Sequence, residues 1–209
     1  MKAIKICLVF LFFSVSVFAE TIQFRADSMS GSVSNAENCT SLVGNAFVKT
    51  DSMEITANTI DISGENYRTI IAEGTISGIY SDAGFTFSCN SLRYDRETKI
   101  AILSGNVNLI DTENDVTVSA EFVEYNQNTE VAVIQIDVEI VQEESTCISS
   151  FAVYRKNTQM LELNGSPKIT QKDDVFKAHE IIFNLETEEI TLIGNVQGTV
   201  TDDGSKEGN

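Results

Sequence analysis

The 209-residue chain is poor in several residue types: it has one proline, no tryptophan, one histidine, and 14 lysines and arginines against 31 acids. Each shortage excludes something. A formal net charge of −17 repels DNA, RNA and anionic membrane faces, so no nucleic-acid partner is expected. One histidine and the lack of any Cys-x-x-Cys pair leave no zinc-ligand spacing. There is no calcium-binding loop, no nucleophile elbow and no phosphate-cradling glycine loop. No metal, no cofactor and no catalytic set is therefore expected, and the chain reads as a non-enzyme. His179 shares the strand parity of Ile181, which reads as a core or rim histidine. The acids read as scattered on outer faces, with Asp173-Asp174 and Asp202-Asp203 as solvated loop pairs. Past residue 19, no apolar run is long enough to span a bilayer.

What is present begins with a targeting segment. Lys2 and Lys5 form a positive head, Ile6 to Phe18 is nearly all apolar, and Val17-Phe18-Ala19 suits a signal peptidase. This predicts a secretory signal cleaved after Ala19 and a periplasmic mature chain, with an uncleaved anchor as the open alternative. Cleavage removes two lysines and no acids, leaving 12 cations against 31 acids, a charge of −19. Cys39, Cys89 and Cys147 remain, and an odd count forbids complete internal pairing. One disulfide with a free thiol, or three buried small side chains, both stay open. Residues 20–200 read as one domain, and the acidic tail of residues 201–209 as disordered.

Val, Ile, Thr, Phe and Tyr are frequent and suit pleated, half-buried surfaces. They are organised by a repeat. An apolar-x-Gly-Asn-apolar corner reads Leu42-Val43-Gly44-Asn45-Ala46, Ala72-Glu73-Gly74-Thr75-Ile76 and Leu103-Ser104-Gly105-Asn106-Val107. It recurs, degenerate, at Ile134-Gln135-Ile136-Asp137-Val138, then at Leu163-Asn164-Gly165-Ser166-Pro167 and Leu192-Ile193-Gly194-Asn195-Val196. Corner positions 44, 74, 105, 136, 165 and 194 lie 30, 31, 31, 29 and 29 residues apart. Eleven residues before a corner stand Tyr94, Tyr125, Tyr154 and Phe183; thirteen before stand Leu92, Val123, Ala152 and Ile181. A polar stretch lies between, as in Asp95-Arg96-Glu97-Thr98-Lys99 and Asn126-Gln127-Asn128-Thr129-Glu130, and it favours a tight reversal.

Each unit thus reads as a strand, a turn, and a longer strand running through the corner. Counting by twos puts Ile134, Ile136, Val138 and Ile140 on one face, and Gln135, Asp137 and Glu139 on the other. The same inward face carries Leu103, Val107 and Leu109, and later Ile190, Leu192 and Val196. A glycine where a strand passes between sheets suits the bend. About six stacked units of this kind predict an all-β, elongated antiparallel jelly roll of two facing sheets. Gly78 and Gly198 are expected to leave room inside.

The stretch Ala178-His179-Glu180-Ile181-Ile182-Phe183-Asn184 through Leu192-Ile193-Gly194-Asn195-Val196, with weaker copies at 89–107 and 120–138, resembles the OstA-like (LptA) family. The resemblance covers most of residues 24–200. It implies a jelly roll open at both ends, a groove for acyl chains, no catalysis, and a periplasmic bridge in lipopolysaccharide transport. It implies as partners lipopolysaccharide or a related glycolipid, jelly-roll proteins at the inner and outer membranes, and further copies head to tail. Two features depart from the family: the strong acidic balance, and Ile136 in place of a corner glycine.

The expected lipid-binding groove is the inward stripe. It comprises Leu92, Tyr94, Leu103, Val107, Leu109, Val123, Tyr125 and Ile134, continuing through Val138, Ile140, Tyr154, Leu163, Ile181, Phe183 and Leu192. Burying about 12 methylenes at ~0.8 kcal/mol each is worth roughly 10 kcal/mol before ordering costs. The expected assembly edges are Ile22, Gln23 and Phe24 at the start, and Gln197, Thr199 and Val200 at the end. From the residues alone, two alternatives stay open: a closed core, and a structural repeat protein that polymerises by its edges without lipid.

Overall fold

The computed structural model describes residues 21–32 and 39–201. The signal segment at 1–19 and residues 202–209 of the tail lie outside the described residues. The chain opens with short strands β1 (Gln23–Arg25) and β2 (Ser28–Ser32). Eight long strands follow: β3 (Cys39–Lys49), β4 (Met53–Ser63), β5 (Thr69–Tyr80), β6 (Phe85–Asp95), β7 (Ile100–Asp111), β8 (Val116–Asn126), β9 (Val131–Gln142) and β10 (Ser145–Arg155). The last third is cut into short pieces: β11 (Met160–Asn164), β12 (Lys168–Gln171), β13 (Asp174–Lys177), β14 (Glu180–Asn184), β15 (Ile190–Ile193) and β16 (Gln197–Thr199).

Sequential strands pair antiparallel from β3 to β10, and each ladder breaks near its middle. The break divides every long strand between two layers. The first layer holds β2, the half of each long strand beside it, then β11, β14 and β15. The second holds β1, the other halves, then β12, β13 and β16. The side chains of Phe85 and Tyr125 meet across the gap between them, with ring centroids 4.9 Å apart. This is the two-layer jelly roll that the repeat predicted.

The corner has a specific backbone. Gly105 and Asn106 both lie in the left-handed region, at φ +75° and +49°, and two residues of β7 oppose one of β8. The pair bends the strand and leaves local amides outside the ladder. Polar side chains facing the corners hold them: Asn58 Oδ1 accepts from the freed Thr75 N at 2.9 Å, the Asn45 side chain donates through Nδ2 to Asp27 Oδ2 at 2.8 Å, and Ser150 Oγ donates to the Gly165 carbonyl at 3.1 Å. At Gly74, φ is +100° and a Cβ would stand 2.5 Å from Asn58 Oδ1, so both conformation and space exclude a side chain.

The corner also corrects the parity count. On odd-numbered strands the inward residues step by four across it, as from Leu103 to Val107. On even-numbered strands they step by three, as from Ala120 to Val123 and Ala178 to Ile181. His179 therefore does not share the inward face of Ile181. It is exposed, and its backbone N–H donates to the Gly194 carbonyl at 2.7 Å. Ile136 is not inward either: it occupies the corner itself and is 56% exposed. Val196, just past the last corner, is 54% exposed, because β16 is an edge. The room expected at Gly78 is filled by the ring of Phe87, its direct cross-strand partner. Gly198 is exposed, facing Phe176.

The turns stack as regularly as the strands. Arg96 N donates to the Arg68 carbonyl, Gln127 N to Lys99, Lys156 N to Glu130 and Leu185 N to Gln159, at 2.9, 3.0, 3.0 and 2.9 Å. Asp95, Asn126 and Asn184 each close their turn by accepting two backbone N–H groups on one side-chain oxygen.

Ile136 is a β-branched residue at φ +64°. That conformation costs about 1–2 kcal/mol, against which glycine loses about 0.5–1 kcal/mol to its freer unfolded chain. Ile136→Gly is expected to stabilise the protein by about 1 kcal/mol, raising Tm by about 2–4 °C. Differential scanning calorimetry checks it, and a lower Tm counts against the strain.

Candidate functional site

Fourteen residues of the expected stripe lie buried between the layers: Leu92, Tyr94, Leu103, Val107, Leu109, Val123, Tyr125, Ile134, Val138, Ile140, Tyr154, Leu163, Ile181 and Phe183. Leu192 is partly buried against them. The stripe is longer than the sequence suggested. Leu42, Ile55, Ile60, Ile62, Ile70, Ile76 and Phe85 extend it toward the N-terminal end. The corners at Gly44 and Gly74 are legible, but no aromatic stands eleven residues before either, so their inward residues lack the mark that picks out the later stripe.

Opposite the corners, the free ends of the two layers face each other along a mouth. An apolar gap of about 20 Å³ opens there, lined by Tyr80, Phe85, Phe87, Leu103, Leu109 and Tyr125 among others. That is room for roughly one water. Tyr125 meets Phe85 and Tyr80 edge-on, at 4.9 and 6.3 Å between centroids. Its hydroxyl is buried with no hydrogen-bond partner. Such a group costs about 1–3 kcal/mol when left unsatisfied. Burial, with Glu130 beside it, pushes its ionisation well above the usual tyrosine value.

A second feature of the mouth corrects the sequence reading, which put all acids outside. Asp111 is fully buried. Lys156, which read as part of a polar turn, is 8% exposed and donates to both Asp111 carboxylate oxygens at 2.8 Å. Tyr154 Oη donates to Asp111 Oδ2 at 3.2 Å, and Asn114 Nδ2 donates to the same oxygen at 2.8 Å. Asp111 also closes its own turn by accepting from Glu113 N and Asn114 N. Lys156 Nζ reaches Glu113 Oε2 at 2.8 Å and lies 5.0 Å from the Phe85 ring centroid. Burial opposes charge on Lys156, but its hydrogen bonds to Asp111 and Glu113 outweigh this and raise its pKa. The signal was present in parity: Asp111 follows Val107 and Leu109 by twos, and Lys156 follows Ala152 and Tyr154. Asp111 lies in the second layer and Lys156 at the end of a first-layer strand, so the pair joins the layers across the mouth. Removing one partner of such a buried pair typically costs about 3–5 kcal/mol. Further along, Gln171 Nε2 donates to Glu188 Oε2 at 3.0 Å beside a polar cleft of about 200 Å³.

Among the described residues the cysteines are all free; Cys39 is exposed, Cys89 and Cys147 buried. The ends of the roll carry single-sided strands. β1 pairs with β3 alone and β16 with β13 alone. Gln23, Phe24, Gln197, Thr199 and Val200 are exposed there, and Ile22 is partly buried. β15 and β16 contain no charged residue, although charges are the usual protection of an edge.

A family model described as OstA-like protein matches residues 20–196. The chain belongs to the OstA-like family. No curated protein sequence matches this OstA-like chain. Among 17 matching chains of solved structures is LptH of Pseudomonas aeruginosa, the LptA-homologous periplasmic component of the lipopolysaccharide transport device. The two superpose with a TM-score of 0.54 at 11% identity, over 58% of this chain and 97% of LptH. At that identity the likeness shows a shared fold. LptH accounts for little more than half of the OstA-like chain, which agrees with a longer roll.

Burial raises the Cys89 thiol to about 11 and the Cys147 thiol to about 12, so neither forms appreciable thiolate at pH 8. Titration of the chain lacking residues 1–19, and with them Cys7, with Ellman's reagent at pH 8 is expected to find one fast thiol per chain, at Cys39, and three only in denaturant. Fast reaction at Cys89 or Cys147 in the native protein would show that the layers part readily.

Proposed function

We propose that this OstA-like protein is a periplasmic lipid carrier, holding the acyl chains of lipopolysaccharide or a related glycolipid between its layers and passing them toward the outer membrane. The observation that carries the reading is the interior itself. Buried apolar side chains run from Leu42 to Phe183, interrupted by few buried polar groups, chiefly the Asp111–Lys156 pair, between layers that sheet corners join on one side and side-chain contacts on the other. Lipopolysaccharide enters through family membership and the fold shared with LptH. The acidic surface repels phosphates, so the head group stays at the mouth or outside, with cations around it.

The open strands at the two ends supply the second half of the reading. Uncharged edges at β15 and β16 suit pairing with another sheet, either a partner jelly roll or a second copy, so that one interior continues into the next. Export, with cleavage after Ala19, brings the chain to the compartment where such a bridge works.

Photo-crosslinking in cells tests the cargo. A benzophenone amino acid at inward Leu109 is expected to capture lipopolysaccharide, while one at outward Ile110 is not. Capture at neither site, in folded protein, removes the carrier reading. Edge pairing has its own test. Proline at Gly198 or at Thr199 deletes an amide donor from β16, and at least one substitution is expected to abolish concentration-dependent association in analytical ultracentrifugation. A wild-type protein that stays monomeric at every concentration, and recovers no partner, argues against assembly by edges.

A further inference from the structure

Three tyrosines stand eleven residues before a corner position, and they differ in one respect. Tyr94 Oη donates to Gln127 at 3.0 Å and Tyr154 Oη to Asp111 at 3.2 Å. Tyr125 Oη is buried without a partner. It borders the apolar gap of the mouth, where the Tyr80 and Phe85 rings lean on its own and Leu103 and Leu109 lie deeper. Lys156 Nζ lies beyond the Phe85 ring, 5.0 Å from its centroid. Its two contacts with Asp111 are to a fully buried carboxylate. Its contact with Glu113 is to a side chain 57% exposed.

These groups are linked by contact: the apolar gap borders Tyr125, the Tyr125 ring meets Phe85, and Lys156 lies over Phe85 with one exchangeable counter-ion. The set suits an amphipathic ligand, with an acyl chain, an ester or hydroxyl oxygen, and an anionic head. We propose that this stretch of the mouth is a lateral port for an acylated lipid bearing a phosphate. The acyl chain passes between Phe85 and Tyr125 into the stripe. Tyr125 Oη donates to the oxygen where the chain joins its head group. The phosphate takes the place of Glu113 on Lys156, while Asp111 stays in contact and keeps the layers joined. The proposal rests on the lipid-carrying reading and adds where the lipid enters and what orients it.

The port is closed as the rings stand, since a gap of about 20 Å³ holds no acyl chain. Opening it means turning the rings of Tyr80, Phe85 and Tyr125. Tyr80 and Phe85 are the end residues of β5 and β6, and Tyr125 is the last but one of β8, so each side chain stands close to a turn. Their edge-to-face contacts are individually weak beside the apolar burial that an acyl chain gains.

The test uses two fluorescent probes with the same NBD-labelled acyl chain, one a phosphatidic acid and one a diacylglycerol, titrated into the purified protein. Wild type is expected to favour the phosphatidic acid by about tenfold. Glu113→Gln frees Lys156 and is expected to widen that preference several-fold. Tyr125→Phe is expected to weaken both probes about fivefold while leaving Tm equal or higher, since it removes an unsatisfied group. The pair Asp111→Leu with Lys156→Leu, which leaves only the exposed Glu113 without its counter-ion, is expected to erase the preference. If wild type binds both probes but neither Glu113→Gln nor Tyr125→Phe changes anything, the port is wrong and lipid carriage stands. If wild type binds neither probe, the carrier reading falls and the port with it.

Discussion

Left-handed backbone at each corner, in two successive residues at five of the six and in Gly74 alone at the other, is the constraint on which the rest of the structure depends. A straight strand of 11 or 12 residues belongs to one sheet. A strand with such a pair at its centre turns, and its halves enter two sheets that face each other. The same pair sets which side chains point inward on each half. Polar side chains of the neighbouring strand then satisfy the amides that the bend frees, as Asn58 does for Thr75. The interior and the mouth opposite it both follow from where these bends fall. Ile136 shows how firm the constraint is: an isoleucine is held in a conformation suited to glycine because its neighbours on both sides are already bent.

Much of this was legible in the residues. The spacing of corner positions gave the unit, and the aromatic eleven residues earlier gave the strand before it. Inward parity, carried across the corners of the odd-numbered strands, then gave fourteen buried positions. The less legible parts have physical causes. The residues facing the corners are Asp27, Asn58, Asn90, Ser150 and His179, and so mixed a set carries no pattern to read. Without it, the three-residue step on even-numbered strands stayed hidden, and His179 was put on the wrong face. The Asp111–Lys156 pair joins residues 45 apart. Strand parity points both inward, but only the offset of one layer over the other brings them together, and sheet twist sets that offset.

The repeat also separates scaffold from chemistry. Positions that recur from unit to unit build the roll: the corner, the inward aliphatics and, at Asp95, Asn126 and Asn184, the side chain that accepts two turn amides. The positions six residues after a corner and nine before it line the mouth, and there the units differ. Six after, they carry Thr50, Tyr80, Asp111, Gln142 and Gln171; nine before, Arg96, Gln127, Lys156 and Leu185. A packed interior gains little from varying these residues, since their tips lie at its border. A mouth that must admit one molecule and refuse others gains much. The buried ion pair is consistent with that view, because a hydrophobic pair of similar volume closes two layers at no greater cost. In the proposed port, what the lysine adds is recognition of charge.

Charge also bears on how such a roll assembles. Edges without charged residues invite pairing, yet a net charge of −17 sets one copy against another. The repulsion is long-ranged and falls as salt rises, whereas backbone pairing acts only at contact. Two ends that meet in register therefore gain a ladder at modest electrostatic cost, while sideways contacts bring acidic faces together and gain none. The geometry favours the same outcome. Turn stacks on turn by one repeated hydrogen bond, from Arg96 to Arg68 through Leu185 to Gln159. A copy docked on the last unit repeats that step with no new backbone conformation, and its interior extends the first. An acidic surface and bare edges, at odds in a protein selected only to stay monomeric, act together in one selected to grow along a single axis.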